Sequence, residues 1–476
     1  MGSRLRIPIL AAAAAAFGLF AVSASAASEP GHGAPGVGDP YHPTYGNGGY
    51  DVSHYAVTLR YQPATDALTG ATTITAKATQ GLSRFDLDFV LGVSRVSVNG
   101  RSARFATYGR HKLVITPTLP IAKGERLTVT VAYTGVPSTM HPDGLTSWIR
   151  TADGGVAANE PESAWWWFPS NDHPSDKATY DVNIRVPGTD QAISNGVLVS
   201  EHTERSWTSY HWRQDKPQAT YLATLAVGHF DLTHSRTATG IPVVNAYSPD
   251  LDPTTAANAR ASVERTGEII DFLSGYFGPY PFDSAGGYVP NVTAGFALET
   301  QTRIFYSPKF FAKAPNTSVV AHEVAHQWYG DSVSLDRWSD IWLNEGFAGY
   351  AEMLWSEHEG NGTPQEIAQR IYDAYPAGDP FWSVKPGDPG PAREFDDAVY
   401  ERGEVAVQAL RDTMDDTDFL RLLKAWPTRH RYGNGTITEF EALAEQYAGK
   451  DLSDFFTTWL YTAAKPAFFP SRQTPG

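Results

Sequence analysis

The run His322-Glu323-Val324-Ala325-His326, followed after eighteen residues by Glu345, constrains this chain more than any other feature. An α-helix turns once in about 3.6 residues, so His322 and His326 project from one face, one turn apart. Two imidazoles at that separation can grip one zinc ion. Glu323 sits beside them, close enough to take a proton from a water on the metal. Glu345 follows at a distance that lets a second helix return and supply a third ligand. Two histidines and one glutamate leave a fourth position open, the pattern of a catalytic zinc rather than a structural one. The bland alternative is a surface helix with two unrelated histidines. Against it, Val319, Val320, Val324 and Ala325 make the segment apolar and predict a buried helix, where polar side chains need partners. A metal supplies them, and the reading is one Zn2+ per chain.

Composition bounds the setting. With 476 residues and 42% hydrophobic content, the chain can build two or three domains with proper cores. Residues 1–26 read as a secretory signal peptide: Arg4 and Arg6 give a basic start, an apolar run spans Ile7 to Val22, and Ala24-Ser25-Ala26 offers a cleavage site. The run is too short and alanine-rich for a membrane anchor. No other segment approaches membrane length. The expectation is an exported protein, secreted and free of the membrane after signal cleavage. There are no cysteines, so no disulfide staples the fold and no thiolate serves as nucleophile or ligand. The formal charge of −15 becomes −17 without Arg4 and Arg6, 35 basic residues against 52 acidic. That balance argues against nucleic acid and anionic membranes as partners.

Residues 27–47 are rich in Gly, Pro and Ser and read as a flexible leader. From Tyr50 to about Leu232, short alternating runs such as Tyr55–Tyr61, Thr72–Ala76 and Leu127–Val131, with Asn99-Gly100 as a turn signal, predict antiparallel strands. The β domain is placed at 48–238, as a sandwich or saddle. A helix is expected from Ala256 to Tyr276, ended by Gly278-Pro279-Tyr280-Pro281, then short strands near Gly287–Val292 and Arg303–Tyr306, then the two helices of the metal motif. Beyond Val399 the pattern is helical, over Gly403–Met414, Thr417–Ala425, Thr438–Tyr447 and Leu452–Trp459, with Thr436 and Thr438 as candidate caps. The second domain is placed at 239–468 and a tail at 469–476. The fold class is α+β and multidomain.

The chemistry implied by the motif is amide hydrolysis. Zinc polarises a carbonyl and brings the pKa of a bound water toward neutrality. Glu323 is then placed as general base, passing the proton on to a leaving amine. The tetrahedral intermediate needs an oxyanion donor besides the metal, and the residues alone do not choose it.

The segments His322–Gly330 and Trp342–Ala348 resemble the gluzincin aminopeptidases, relatives of aminopeptidase N and leukotriene-A hydrolase. That resemblance implies a thermolysin-like, mostly helical zinc metallopeptidase domain after the β domain. Tyr400-Glu401-Arg402-Gly403 resembles the family's Tyr-x-Lys/Arg-Gly, whose tyrosine hydrogen-bonds the oxyanion, which makes Tyr400 the matching donor. Phe296-Ala297-Leu298-Glu299-Thr300 lines up with the family's Gly-Ala-Met-Glu-Asn loop, with Ala297 and Glu299 retained and Gly295 preceding. By that match Ala297 and Glu299 face the substrate, and Glu299 binds its free α-ammonium. Glu160-Pro161-Glu162-Ser163-Ala164 with Phe168-Pro169 resembles a second amine-contacting segment, with Glu160 where Gln is usual and Trp165 where the family has Arg. The partners implied are peptides with a free N-terminus. The plain alternative for Tyr400 is an ordinary aromatic at a helix start, and the residues alone favour solvated carboxylates for Glu160 and Glu299. The resemblance spans roughly Tyr50 to Phe468; in the family a large helical domain then roofs the site, and here the sequence stops before it.

Asp340 and Glu352 are both near enough in sequence to orient a zinc-bound imidazole. Trp165-Trp166-Trp167 either lines the cleft or packs between domains. Two rival readings stand beside the secreted zinc aminopeptidase. One is a thermolysin-like endopeptidase, which has no use for Glu160 and Glu299. The other is a non-catalytic binding module with a relict zinc site. The oligomeric state is not fixed by the sequence.

Overall fold

A computed structural model of the protein describes residues 30–467 and 469; the expected signal peptide and most of the 469–476 tail lie outside these residues. The N-terminal half is built on an eight-stranded sheet. Its spatial order is Val197–Glu204, Trp207–Gln218, Ala178–Pro187, Tyr50–Gln62, Ala67–Ala78, Arg126–Gly135, Gly92–Val98, Arg101–Ser102. Side chains alternate in and out along these strands, so Tyr55, Val57, Leu59 and Tyr61 all face the core. Asn99 and Gly100 both take positive φ, 49° and 75°, as the two-residue turn between paired strands requires. One central pair differs from the all-antiparallel expectation: Ala178–Pro187 runs parallel to Tyr50–Gln62. The long connection between those strands permits it, and local alternation does not report strand direction. Two four-stranded sheets complete the domain.

The second half begins with a five-stranded sheet in the order Asp231–Arg236, Pro242–Tyr247, Gly287–Val289, Ile304–Tyr306, Ala297–Leu298. The first two strands form a hairpin, pairing Asp231 with Tyr247 and Arg236 with Pro242. The boundary placed at 238/239 falls in the turn of that hairpin.

Helices follow and intersperse: α1 Pro253–Val263, α2 Thr266–Phe277, α3 Thr317–His326, α4 Trp342–His358, α5 Pro364–Ala374, α6 Asp397–Thr413, α7 Asp416–Arg429 and α8 Ile437–Ala448. The single helix expected over 256–276 is two. The Val263 carbonyl is taken by Thr266 Oγ1 (2.6 Å) and Asn245 Nδ2 (3.2 Å), which draws it out of the ladder. The sequence reading passed over α5, although Thr363-Pro364-Gln365-Glu366 is a capping box with proline at the first helical position. Thr436 caps α8 in the same way, with Glu439, while Thr438 lies inside the helix.

The leader is corrected most. Much of it from residue 30 onward is exposed, yet it is anchored at points: Asp39, Tyr45 and Asn47 are buried. Asp39 accepts from the backbone of Tyr41 and His42, and from Trp338 N of the other domain at 2.8 Å. Composition rich in Gly and Pro reports chain stiffness and turns. It does not report whether a neighbour waits to receive the chain.

Trp165, Trp166 and Trp167 are buried in the core of the N-terminal domain, with Trp165 stacked on His111 at 3.8 Å. They neither line the cleft nor fill the domain boundary. Among the described residues no helix is long and apolar enough to cross a membrane.

Candidate active site

α3 is buried along one side through Val319, Val320, Ala321, Val324 and Ala325, and its first turn is capped by the Asn316 side chain on Val319 N. That packing fixes the helix and turns His322 and His326 toward α4, their ring centroids 4.8 Å apart. Glu345, in the first turn of α4, meets them: its Oε2 lies 3.3 Å from His322 Nε2 and 3.6 Å from His326 Nε2. The second nitrogen of each ring is already engaged. His322 Nδ1 contacts Glu352 Oε1 at 2.8 Å, and His326 Nδ1 contacts the Tyr329 carbonyl at 3.0 Å. Glu352 in turn accepts from the Ser318 hydroxyl. Of the two acids weighed from sequence, Glu352 is therefore the orienting one. Asp340 is turned to Arg337, 3.4 Å away, where burial pushes its carboxyl up to about 6.

The donor set fits one zinc ion. Its three ligand atoms lie within 4.8 Å of one another. Two ligands held about 2.0–2.1 Å from a tetrahedral ion stand about 3.3–3.4 Å apart, close to the separations seen. Two nitrogens and one oxygen are the borderline donors zinc takes, and the outer hydrogen bonds direct both Nε2 atoms at the carboxylate. Burial would raise the Glu345 carboxyl, but the His326 and His322 rings outweigh it and hold it down to about 2.

All eight residues singled out from the sequence line one cavity of about 570 Å³: Glu160, Ala297, Glu299, His322, Glu323, His326, Glu345 and Tyr400. Glu323 is 5% exposed, and its Oε2 has no hydrogen-bond partner. Burial, together with the Glu299 and Glu345 carboxylates, pushes it up to about 8 against the opposing pull of the imidazoles. Tyr400, in the first turn of α6, stacks against His322 with centroids 6.1 Å apart. Burial and the facing Glu345 and Glu160 carboxylates hold its phenol well above the ordinary range, so it stays an O–H donor.

Glu299 follows the edge strand Ala297–Leu298, which pairs with Phe305 and Tyr306. Tyr221 donates to its Oε1 at 3.0 Å, and Gln327, one residue past α3, donates to its carbonyl at 3.1 Å. Glu160 comes from the N-terminal domain, and its Oε1 is buried without a partner. Burial and the facing Glu299 carboxylate raise it well above the ordinary range. One half-buried and one buried carboxyl, one per domain, thus face one space that no lysine or arginine among the described residues lines.

Sequence reasoning missed Tyr221, Gln327 and Ser318, and Phe310, Phe395 and Asp397 of the cavity lining. Gln327 directly follows the second histidine, which was a usable signal; the others converge only in three dimensions. Arg402 holds the C-terminal segment: its guanidinium donates to the carbonyls of Trp382, Val384, Trp459, Thr458 and Thr462.

Two models of one family match the chain, the peptidase M1 N-terminal domain over residues 51–222 and the peptidase family M1 domain over residues 261–459. The chain belongs to peptidase family M1. The M1 zinc metallopeptidase of Deinococcus radiodurans is 28% identical and superposes with a TM-score of 0.83 over 93% of this chain and 100% of that one. A variant of a two-domain M1 zinc metallopeptidase bound to L-arginine is 27% identical, with a TM-score of 0.81 over 92% of this chain and 100% of that one. Human glutamyl aminopeptidase is 28% identical over 63% of this chain and 33% of its own length. Aminopeptidase M1-B of Oryza sativa subsp. japonica is 25% identical over 87% of this chain and 50% of its own. The M1 chain thus spans a third to a half of the length of these curated relatives.

Proposed function

We propose that this M1 chain is an exported zinc aminopeptidase that hydrolyses the first peptide bond of peptides with a free N-terminus. The observation that carries the exopeptidase reading is a pair of carboxyls, the half-buried Glu160 with its Oε1 enclosed and the buried Glu299, facing the same cavity as the metal ligands. Two carboxyls crowded into one enclosed space are costly to ionise together, and a substrate α-ammonium would satisfy both at once. An enzyme cutting within a chain meets no such cation at that place.

His322, His326 and Glu345 would hold the zinc ion, which would supply a Lewis acid to polarise the scissile carbonyl and acidify water. The protein's own groups do the rest. Glu160 and Glu299 fix the ammonium, which measures one residue from the amino end. Glu323 takes the proton from the attacking water on its unpartnered oxygen and returns it to the leaving amine. The Tyr400 phenol donates to the oxygen that gains negative charge. Ala297, on the edge strand beside Glu299, lies along the substrate.

Comparing free with N-acetylated forms of one peptide tests this. Cleavage of the free form only is expected; equal cleavage of both would overturn the exopeptidase reading, and the endopeptidase alternative would take its place. A chelator control is expected to abolish turnover. A zinc-loaded protein inert on a broad panel of arylamides and peptides would point instead to a binding module. Export rests on the basic start, the apolar run and the Ala24-Ser25-Ala26 site. Amino-terminal sequencing of the extracellular protein is expected to begin at Ala27, and full-length material kept inside the cell would refute export.

A further inference from the structure

The anchored leader crosses between the two domains through three residues. Tyr45 donates to Glu162 Oε2 at 2.9 Å, two residues beyond Glu160. His42 stacks on Tyr45, centroids 4.5 Å apart, and its Nε2 meets both Glu394 oxygens at 3.0 Å. Tyr41 donates to Asp388 Oδ1 and accepts from Gly390 N, each at 2.7 Å. Glu394 adjoins Phe395, which lines the cavity, and the same loop runs straight into α6 and Tyr400. Both ends of this link are fixed. On the N-terminal side, Lys112 donates to the Gly46 carbonyl and Asn47 Oδ1, each at 2.8 Å. On the catalytic side, Asp39 accepts from Trp338 N, and the Trp338 ring touches His42, Phe395 and Tyr221 with centroids 6.0, 6.5 and 5.3 Å away. Tyr221 is the donor to Glu299.

Building on the aminopeptidase reading, we propose that Tyr45 and His42 are positioning residues for the substrate. The leader braces the Glu160 wall of the cavity, through Glu162, against the Phe395–Tyr400 wall, through Glu394. It thereby sets the separation between an ammonium-binding carboxylate on one domain and the oxyanion donor on the other. Neither residue touches the substrate. Both act through the residue they hold, so their effects divide between binding and turnover.

The test uses the whole mature, zinc-loaded chain with Tyr45→Phe, His42→Phe and His42→Gln. kcat and KM are read on alanine p-nitroanilide, and the Kd of leucinamide, an amine without a carboxylate, by calorimetry. Tyr45→Phe removes one hydroxyl bond from the Glu162 side, so KM and the leucinamide Kd are expected to rise about fivefold with kcat held. His42→Phe keeps the ring stack and removes the tie to Glu394, so kcat is expected to fall about fivefold. His42→Gln keeps a donor for Glu394 and is expected to restore most of that loss. Constants within about twofold of wild type for both Phe variants would overturn the brace. So would a parallel loss of kcat and KM quality in both, without rescue by His42→Gln, because that is what general loosening produces. Should the wild type cleave no free-amine substrate while Tyr45→Phe still weakens leucinamide, the aminopeptidase reading fails and the brace stands. If leucinamide binding is also unmoved, the brace fails as well.

Discussion

Glu323 and Glu345 are both buried carboxyls on neighbouring helices, and their surroundings drive them apart: burial and like charge push Glu323 up to about 8, while the two imidazoles hold Glu345 down to about 2. The two carboxyls thus sit in opposite surroundings, Glu323 among like charges and Glu345 against the imidazoles. Glu323→Gln keeps shape and polarity and removes the proton acceptor. It is expected to lower kcat by about 10²–10⁴-fold with zinc content unchanged, as read by steady-state kinetics and elemental analysis. An active Glu323→Gln variant would remove this residue from the mechanism. Glu299→Gln is expected to act on binding, raising KM for a free-amine peptide far more than it lowers kcat. A KM left in place would return Glu299 to the role of a buried structural acid.

The helix pair α4–α6 shows how elements set the residues. A side chain at Gly346 would meet the Trp342 indole nitrogen at 2.4 Å, and one at Gly403 would meet the Trp342 ring at 2.9 Å and the Gly346 backbone at 3.2 Å. These two glycines let α4 and α6 touch, and Trp342 Nε1 donates to the Gly403 carbonyl across the contact at 3.1 Å. The four residues Tyr400-Glu401-Arg402-Gly403 therefore combine three tasks on one helix: Tyr400 faces His322, Arg402 clamps the C-terminal segment, and Gly403 permits the approach of α4. Gly403→Ala is expected to cost about 1–3 kcal/mol by overpacking, and to lower kcat because α6 carries Tyr400. Calorimetry and kinetics on one preparation check this. Unchanged stability would mean that the Trp342 ring swings clear.

At the scale of the molecule, the domains are joined by polar ties that reach the site. Lys177 of the N-terminal domain donates to the carbonyls of Asp331, Ser332 and Gly433 at 2.7, 3.0 and 3.2 Å, holding the turn that follows α3. That turn also presents the Tyr329 carbonyl to His326. Removing zinc is expected to lower the melting temperature in proportion to ln(1 + [Zn]/Kd), and a melting curve indifferent to chelator would contradict the site. The β domain carries its own pH signature. Burial pushes the Asp176 carboxyl up to about 8, above its unfolded value of about 3.9. Its folded form therefore keeps a proton that the unfolded chain releases. The resulting stability is fully present below about pH 4 and is lost as pH rises through 8. Thermal unfolding of wild type against Asp176→Asn is expected to show the wild type losing ground steadily between pH 4 and 8. Parallel curves would contradict it.

The candidate metal ligands were legible in the chain alone, because two histidines one helical turn apart and a distant glutamate form a local pattern, and the fold brings these three together. The sequence by itself also determined the β-then-helical order, since period-two and period-3.6 patterns survive without knowledge of neighbours. The resemblance added Tyr400, Glu299 and Glu160, and the fold brings all three to one cavity. Only the tertiary structure decided between Asp340 and Glu352, since both are close in sequence and only Glu352 lies on the side of α4 that faces His322. It alone placed Tyr221 against Glu299 across 78 residues of chain, buried the three tryptophans in the β core, and turned a Gly- and Pro-rich leader into an anchored tie. The physical reason is common to these cases: a hydrogen bond or a buried ring depends on what stands opposite, and composition holds no record of what stands opposite.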